Sequence, residues 1–356
     1  KMIDISIKAG KYVYEMIQDG GFNFDRVTTF VGPGAGPKWL VASGFDLSLL
    51  RTGVLGKNNP VLLAGTSAGA LRFAAWVQPE PEKSYASLID SYISMSFTRR
   101  DTPRSILRSI LRVINSFMED DAIPFALASK KYRLAITAAR AKGIMATEMK
   151  PLQGLALALA FIFNAMNPVW LGLFFQRAVF HNCPIPPKFC LRSDFRGKAI
   201  PLNVANIKYV LLASSAIPLV VSGVRDVYGA PNGTYRDGGI TDYHLNQNYG
   251  TKREDVVLLF QHQERIIPGW LDKKLIYRKV PAENLDNLLM IYPTEEFIKT
   301  LPGGNIPQRK DFKTFADKPS VRIRNWEEAV SRSAHLGEQF LELVESNKLR
   351  DVVKVM

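Results

Sequence analysis

Two short motifs carry side chains able to cleave an ester. Gly65-Thr66-Ser67-Ala68-Gly69 is a G-x-S-x-G run that follows an apolar stretch, Val61–Ala64, and precedes an apolar helical segment, Ala70–Trp76. Much further along, Tyr235-Arg236-Asp237-Gly238-Gly239 sets a carboxylate before two glycines. A serine hydroxyl is a weak nucleophile. It needs a base within hydrogen-bond reach and donors for the oxyanion that forms when it attacks a carbonyl. A tight strand-to-helix turn lifts the hydroxyl out of the sheet and turns the helix's first free N–H groups toward the developing charge. Gly65 and Gly69, two residues to either side of Ser67, permit the backbone that such a turn requires. Taken alone, D-G-G also reads as an ordinary β-turn, where Asp and Gly are favoured.

A third element could supply oxyanion donors. In Gly32-Pro33-Gly34-Ala35-Gly36-Pro37-Lys38-Trp39, the residues Gly34, Ala35 and Gly36 can bare backbone N–H groups toward an anion. A dinucleotide fingerprint would need glycine at position 37, where Pro37 stands. A phosphate-cradling P-loop would need glycine before Lys38 and Ser or Thr after it, where Pro37 and Trp39 stand. The base for Ser67 is open at this level. Asp237 is one candidate. A Ser–Asp–His set could also be assembled from Ser67, Asp237 or Asp255, and His262 or His335. None of the four histidines (His181, His244, His262, His335) has a distinguishing local setting, and His335 falls in a closing helical segment.

The elements that must position these groups follow from pattern. Val27–Val31 is a β-rich run that breaks into the Gly32–Pro37 loop and then a helix through Leu50. With Val61–Ala64 and its following helix, this makes two strand–loop–helix units and predicts a parallel α/β sheet. Val256–Phe260 reads as another core strand. Trp326, Ala329, Val330, Leu336, Phe340, Leu343 and Val344 keep helical period and predict one long closing helix. Pro103, with Thr102 as its cap, opens a helix on which Arg104, Arg108 and Arg112 share one face and Leu107, Ile110, Leu111 and Ile114 another. Such a helix either lies on an anionic membrane or packs on its own protein. Pro151 to Gln176 contains no charged residue, but Pro168 should break it and Gln153, Asn164 and Asn167 interrupt it. We expect two apolar helices forming a cap or lipid-facing surface, with a buried core helix as the alternative, rather than a membrane span.

Composition narrows the class. The chain has 356 residues, 47% of them hydrophobic and 22% charged, which suits a globular protein with a sizeable core. The net charge of +13 either attracts phosphate-bearing surfaces or serves simple solubility. The basic residues are scattered and match no nucleic-acid-binding module, so nucleic acid is not an expected partner. Cys183 and Cys190 lack zinc-ligand spacing; one disulfide between them is possible. The stretch Lys1 to Met16 has no apolar signal core, so a cytoplasmic place, or delivery without an N-terminal signal, is expected.

Ser67 in G-T-S-A-G, the early glycine-rich loop, Ala213-Ser214-Ser215-Ala216-Ile217-Pro218 and Asp237 in D-G-G together resemble the patatin-like phospholipase family, over about Val27 to Asp242. The resemblance implies a three-layer α/β fold with a central, mostly parallel sheet flanked by helices. One such domain is expected over 1–356; the residue pattern, not a transferred motif, places a helical apolar cap within 80–200 and a C-terminal extension with the closing helix over 250–356. By position Ser67 is the nucleophile, Asp237 its dyad partner, Gly65 and Gly69 the elbow, and Gly238 and Gly239 the dyad loop. The family loop usually reads G-G-G-x-R/K-G. Lys38 keeps the cation while Ala35 and Trp39 depart, and Pro37 can donate nothing, so Ala35 and Gly36 are the preferred donors beside Gly34. The implied chemistry is cleavage of fatty-acyl esters of phospholipids or lysophospholipids through an acyl-enzyme, with no cofactor and no metal. Peripheral contact with an anionic membrane is expected through Arg104, Arg108, Arg112, Phe161, Trp170 and Phe174. A Ser–His–Asp esterase or thioesterase, and a non-catalytic membrane-binding protein on a hydrolase fold, are the rival readings.

Overall fold

The computed structural model describes residues 3–191, 194–245, 247–249 and 252–356; Lys1 and Met2 lie outside the described residues. Its strands are β1 (Ile5–Ala9), β2 (Val27–Gly32), β3 (Val61–Thr66), β4 (Tyr132–Ala141), β5 (Phe175–His181), β6 (Lys198–Pro201), β7 (Val224–Arg225), β8 (Thr234–Asp237), β9 (Val256–Phe260), β10 (Leu288–Pro293) and β11 (Lys354–Val355). They form one mixed sheet in the order β11-β1-β10-β9-β2-β3-β4-β5-β6, with β8 paired to β4 and β7 to β8. The centre, β10-β9-β2-β3-β4, is parallel throughout. Helices flank this sheet, so the architecture is α/β. β2 and β3 are buried on both faces over most of their length, as parallel strands sandwiched between helices must be.

Both strand–loop–helix units form as expected. β2 passes through the glycine-rich loop and a 3-10 stretch, Gly36–Ala42, into the Ser43–Thr52 helix. β3 turns at Ser67 into the Ala68–Trp76 helix. Close backbone approach explains two glycines here. A Cβ on Gly69 would stand 1.8 Å from the Gly32 carbonyl oxygen, and one on Gly65 would stand 2.8 Å from the Ala70 nitrogen.

Three expectations change. The span 80–200 is not helical throughout: β4, β5 and β6 come from it and extend the central sheet. The alanine-rich text of β4 hides a strand whose small side chains suit burial on both faces. The span 250–356 supplies β10 besides the expected strand β9, which lies directly beside β2. The closing helix is two helices, Pro319–Ser333 and His335–Glu345, meeting at Ala334. Gly44 of the Ser43–Thr52 helix crosses that junction so closely that a Cβ would lie 2.1 Å from the Ser333 carbonyl oxygen.

The Pro103–Phe117 helix has the expected Thr102 cap, whose hydroxyl accepts from the Ser105 N–H. Its Leu107, Ile110 and Leu111 pack against the main core. The helix therefore lies on its own protein, and its exposed Arg104, Arg108 and Arg112 are what it shows to solvent. Cys183 and Cys190 are free thiols.

Candidate active site

β4 is the element that brings Ser67 and Asp237 together. On one edge its first half pairs with β3, ending at Thr66 opposite Thr137. On the same edge its second half pairs with antiparallel β8, ending at Asp237 opposite Ala138. Two strands running in opposite directions thus stop end to end at neighbouring residues of β4, and the residues at their ends meet. The Ser67 hydroxyl donates to Asp237 Oδ2 at 2.8 Å. Asp237 Oδ1 accepts from the Gly239 N–H at 2.8 Å, which fixes the carboxylate plane.

Ser67 sits at φ 52°, ψ −123°, outside the ordinary basins for an L-residue, at the N-terminus of the Ala68–Trp76 helix. Such a conformation costs roughly 1–3 kcal/mol and persists only where its surroundings hold it. The A-S-S-A-I-P segment does the holding. Ser214 Oγ accepts from the Ser67 N–H at 2.8 Å and donates to the Thr137 carbonyl at 2.7 Å. Two residues on, the Ala216 carbonyl accepts from the Asp237 N–H at 3.0 Å. One segment therefore anchors the backbone of both residues. Sequence reasoning assigned Ser214 no role, although the motif that contains it was visible.

The glycine-rich loop lies over Ser67: a Cβ on Gly34 would stand 3.5 Å from that of Ser67. Gly34 drops out of the oxyanion donors, because its N–H is already given to the Tyr243 carbonyl at 2.7 Å. Ala35 is right-handed and Gly36 left-handed, with φ of 55°. Successive residues of that kind turn their N–H groups into a concavity suited to anions. Trp39, where the family pattern has glycine, is buried with its ring edge-on to Tyr92 at 5.4 Å and anchors the end of the loop.

One cation lines this pocket and two more stand behind its wall. Arg309 lines it together with Ser67, Asp237, Ile217, Pro218 and Trp270. Lys273 Nζ lies 4.2 Å from the centre of the Tyr243 ring, which also faces the pocket. Lys38 Nζ is 3.2 Å from His262 Nε2. Burial, with Arg309 and Lys38 nearby, brings the Lys273 ammonium down to about 7. Burial raises the Asp237 carboxyl, and the Arg309 charge and the Ser67 hydroxyl draw it back. Arg309 and Lys273 belong to text without a motif and were not anticipated.

The histidines stand elsewhere. His335 pairs with Asp4, His262 meets Lys38, and His244 Nδ1 accepts from the Ile267 N–H. His181 ends β5. Burial and neighbouring cations lower both His244 and His262, the latter to about 3. Among the described residues no group of three His, Cys, Asp or Glu side chains is placed to hold a metal ion. Of the expected lipid contacts outside the pocket, Trp170 is exposed and Phe161 half-buried. Phe174 is half-buried as well, its ring edge-on to Phe163 at 5.6 Å between centroids and packed against a buried cluster.

No family model and no curated protein matches this sequence. Among solved structures the chain is similar to human GIVD cytosolic phospholipase A2, at 11% identity and a TM-score of 0.38, over 98% of this chain and 66% of that one. The α/β assignment rests on this chain's own sheet, and the chemistry of the site on its own side chains.

Proposed function

We propose that the protein is a serine hydrolase that cleaves fatty-acyl esters of phospholipids or lysophospholipids by a Ser67–Asp237 dyad. The direct 2.8 Å contact between the Ser67 hydroxyl and the Asp237 carboxylate carries this reading. Asp237 accepts the hydroxyl proton as Ser67 Oγ bonds to the ester carbonyl carbon. The carbonyl oxygen takes the negative charge, received by the Ala35 and Gly36 amides. Collapse breaks the ester C–O bond, and Asp237 returns the proton to the leaving alcohol. Water then repeats the sequence on the acyl-enzyme: Asp237 takes its proton, hydroxide adds to the acyl carbon, and fatty acid leaves as Ser67 is re-protonated.

Arg309 and Lys273 favour a substrate with an anionic headgroup over a neutral glyceride. Arg309 lines the pocket and Lys273 Nζ sits over the Tyr243 ring that lines it, and among the described residues neither forms an ion pair. The test is incubation with a fluorophosphonate probe, beside mass spectrometry of products from a defined phospholipid panel. Wild type should form one serine adduct and release fatty acid. Ser67→Ala should do neither, and Asp237→Asn should lose hydrolysis. Unchanged fatty-acid release by Ser67→Ala would end the proposal.

A further inference from the structure

The Lys150–Met166 helix wears its polarity inside out. Its buried positions include Gln153 and Asn164, at 2% and 1% exposure, while its outward line is Leu152, Leu155, Leu159, Ile162 and Met166, at 39, 55, 39, 51 and 69%. Those five recur at helical spacing and form one stripe. Val169 and Leu173, each 62% exposed, continue it along the 3-10 turn Pro168–Leu173. A contiguous apolar face of this kind marks an interaction surface.

The inversion is fixed by hydrogen bonds. Gln153 Nε2 donates to the Thr147 carbonyl, and its Oε1 accepts from the Leu219 N–H. Asn164 Nδ2 donates to Asp272 Oδ1 at 2.7 Å, and the Asn164 main-chain carbonyl accepts from Arg278. Rolling the helix to hide its leucines would strand both amides, so the face is held outward. Those bonds also tie it to the pocket. Leu219 follows Ile217 and Pro218, and Asp272 lies two residues past Trp270; Ile217, Pro218 and Trp270 line the pocket. Beneath the helix, Ala156, Leu157 and Ala160 share a buried cluster with Ile240, which lines the pocket too.

We propose that this face docks on an anionic lipid surface, placing the Ser67 pocket beside the bilayer. Its purpose rests on the hydrolase reading above, whereas its geometry does not. The margins supply the charge: Lys150 stands at the start of the helix, Arg196 on the turn packed against Gly172, and Lys279 beside the Tyr277–Arg278 contacts to Ala165 and Asn164, all three exposed. A second copy of this chain, itself at +13, would bring like charges together there, whereas an anionic bilayer meets them with opposite ones. No helix among the described residues is long and apolar enough to cross a membrane, so this helix lies along the surface.

The experiment compares wild type with Leu155→Asp/Ile162→Asp by flotation with phosphatidylcholine vesicles, with and without phosphatidylglycerol. Wild type should float, and more strongly with the anionic lipid. The double variant should partition at least about 100-fold less, since two apolar side chains are replaced by charges in the contact. Its hydrolysis of vesicle lipid should fall with binding, while that of a monomeric short-chain ester stays within about twofold. Because both positions face solvent, its melting should match wild type. Should it not, bimane on Ile162→Cys provides the second readout: its emission must shift blue with vesicles, against the unsubstituted protein labelled alike. Equal vesicle binding by wild type and double variant would overturn the proposal. So would a wild-type dimer that the double variant dissociates while vesicle binding is unchanged. Flotation without any hydrolysis would sink the enzymatic reading and leave the docking face standing.

Discussion

Adjacent serines, Ser214 and Ser215, should respond in opposite ways to loss of the hydroxyl. Ser214→Ala removes the acceptor of the Ser67 N–H and the donor to the Thr137 carbonyl, at a residue with no solvent exposure. A buried backbone group left without a partner costs about 1–3 kcal/mol. Two such groups give roughly 2–6 kcal/mol, a large part of the ~5–15 kcal/mol that holds a typical domain folded. The loss also frees Ser67 from a strained conformation, and a displacement near 1 Å can reduce a rate on the order of 100-fold. Ser215 Oγ is buried and makes no hydrogen bond among the described residues, so Ser215→Ala removes an unmatched polar atom. It should leave stability within about 1 kcal/mol of wild type, or raise it. Urea unfolding gives the two free energies, and the second-order rate of fluorophosphonate labelling reports the elbow. Equal unfolding free energies for the two variants, with Ser214→Ala labelling at the wild-type rate, would refute the role given to Ser214.

Asp237 must be ionised to act as base, so activity should rise with pH through an acid limb set above that of an ordinary aspartate, since burial raises this carboxyl. Arg309→Met removes the charge that draws it back and should move the limb to still higher pH in a kcat/KM profile; an unmoved limb would separate Arg309 from the dyad. Lys273 contributes to stability with the opposite pH slope from a paired lysine. Folding lowers it from 10.5 to about 7, so the unfolded chain holds more protons between those values and this group's contribution rises with pH across that window. Lys273→Met should therefore gain stability over wild type near pH 6.5 and lose that advantage by about pH 10, as read by paired thermal melts. The same variant should lower selectivity for anionic over zwitterionic headgroups below pH 7, because only there is the replaced ammonium largely charged.

The parallel centre of the sheet and the turn at Ser67 were legible because their signals are local. β2 and β3 are short apolar runs ended by glycine, and the glycines are demanded by backbone contacts within the same two units. β4 was missed because its alanine-rich text carries no strand signal, and β5 because a charged residue interrupts it. Arg177 lies mid-strand in β5 and is fully buried only because Asp242, from distant text, pairs with it through two hydrogen bonds. Arg72 and Asp46 form a similar buried pair. The Lys150–Met166 helix was ambiguous for the reverse reason. Its composition suits a core, and the placement of Gln153 and Asn164 reveals an outward apolar face only once their partners Leu219 and Asp272 are known. Arg309 and Lys273 carry no local pattern at all, since their meaning comes from where the chain returns to the pocket.

If Asp237 serves as base, it answers two opposed demands. A more basic carboxylate takes a proton from an alcohol more readily, yet raising its pKa by burial removes the charged form that does the work. The site meets both. Enclosure beside Ile217 and Trp270 desolvates the carboxylate, while the Gly239 N–H, the Ser67 hydroxyl and the Arg309 charge keep the anion supported. A histidine between Ser67 and Asp237 would ease the proton transfer, but the 2.8 Å separation leaves no room for an imidazole. The stabilisation that an imidazole would have provided must then come from fixed donors and cations around the reacting carbonyl. This explains why a catalytic carboxylate should be accompanied here by a two-amide nest on one side and unpaired positive charge on the other. It also explains why Gly36, whose left-handed turn shapes that nest, lies against Arg309, where an added Cβ would come within 3.1 Å of the guanidinium Nε.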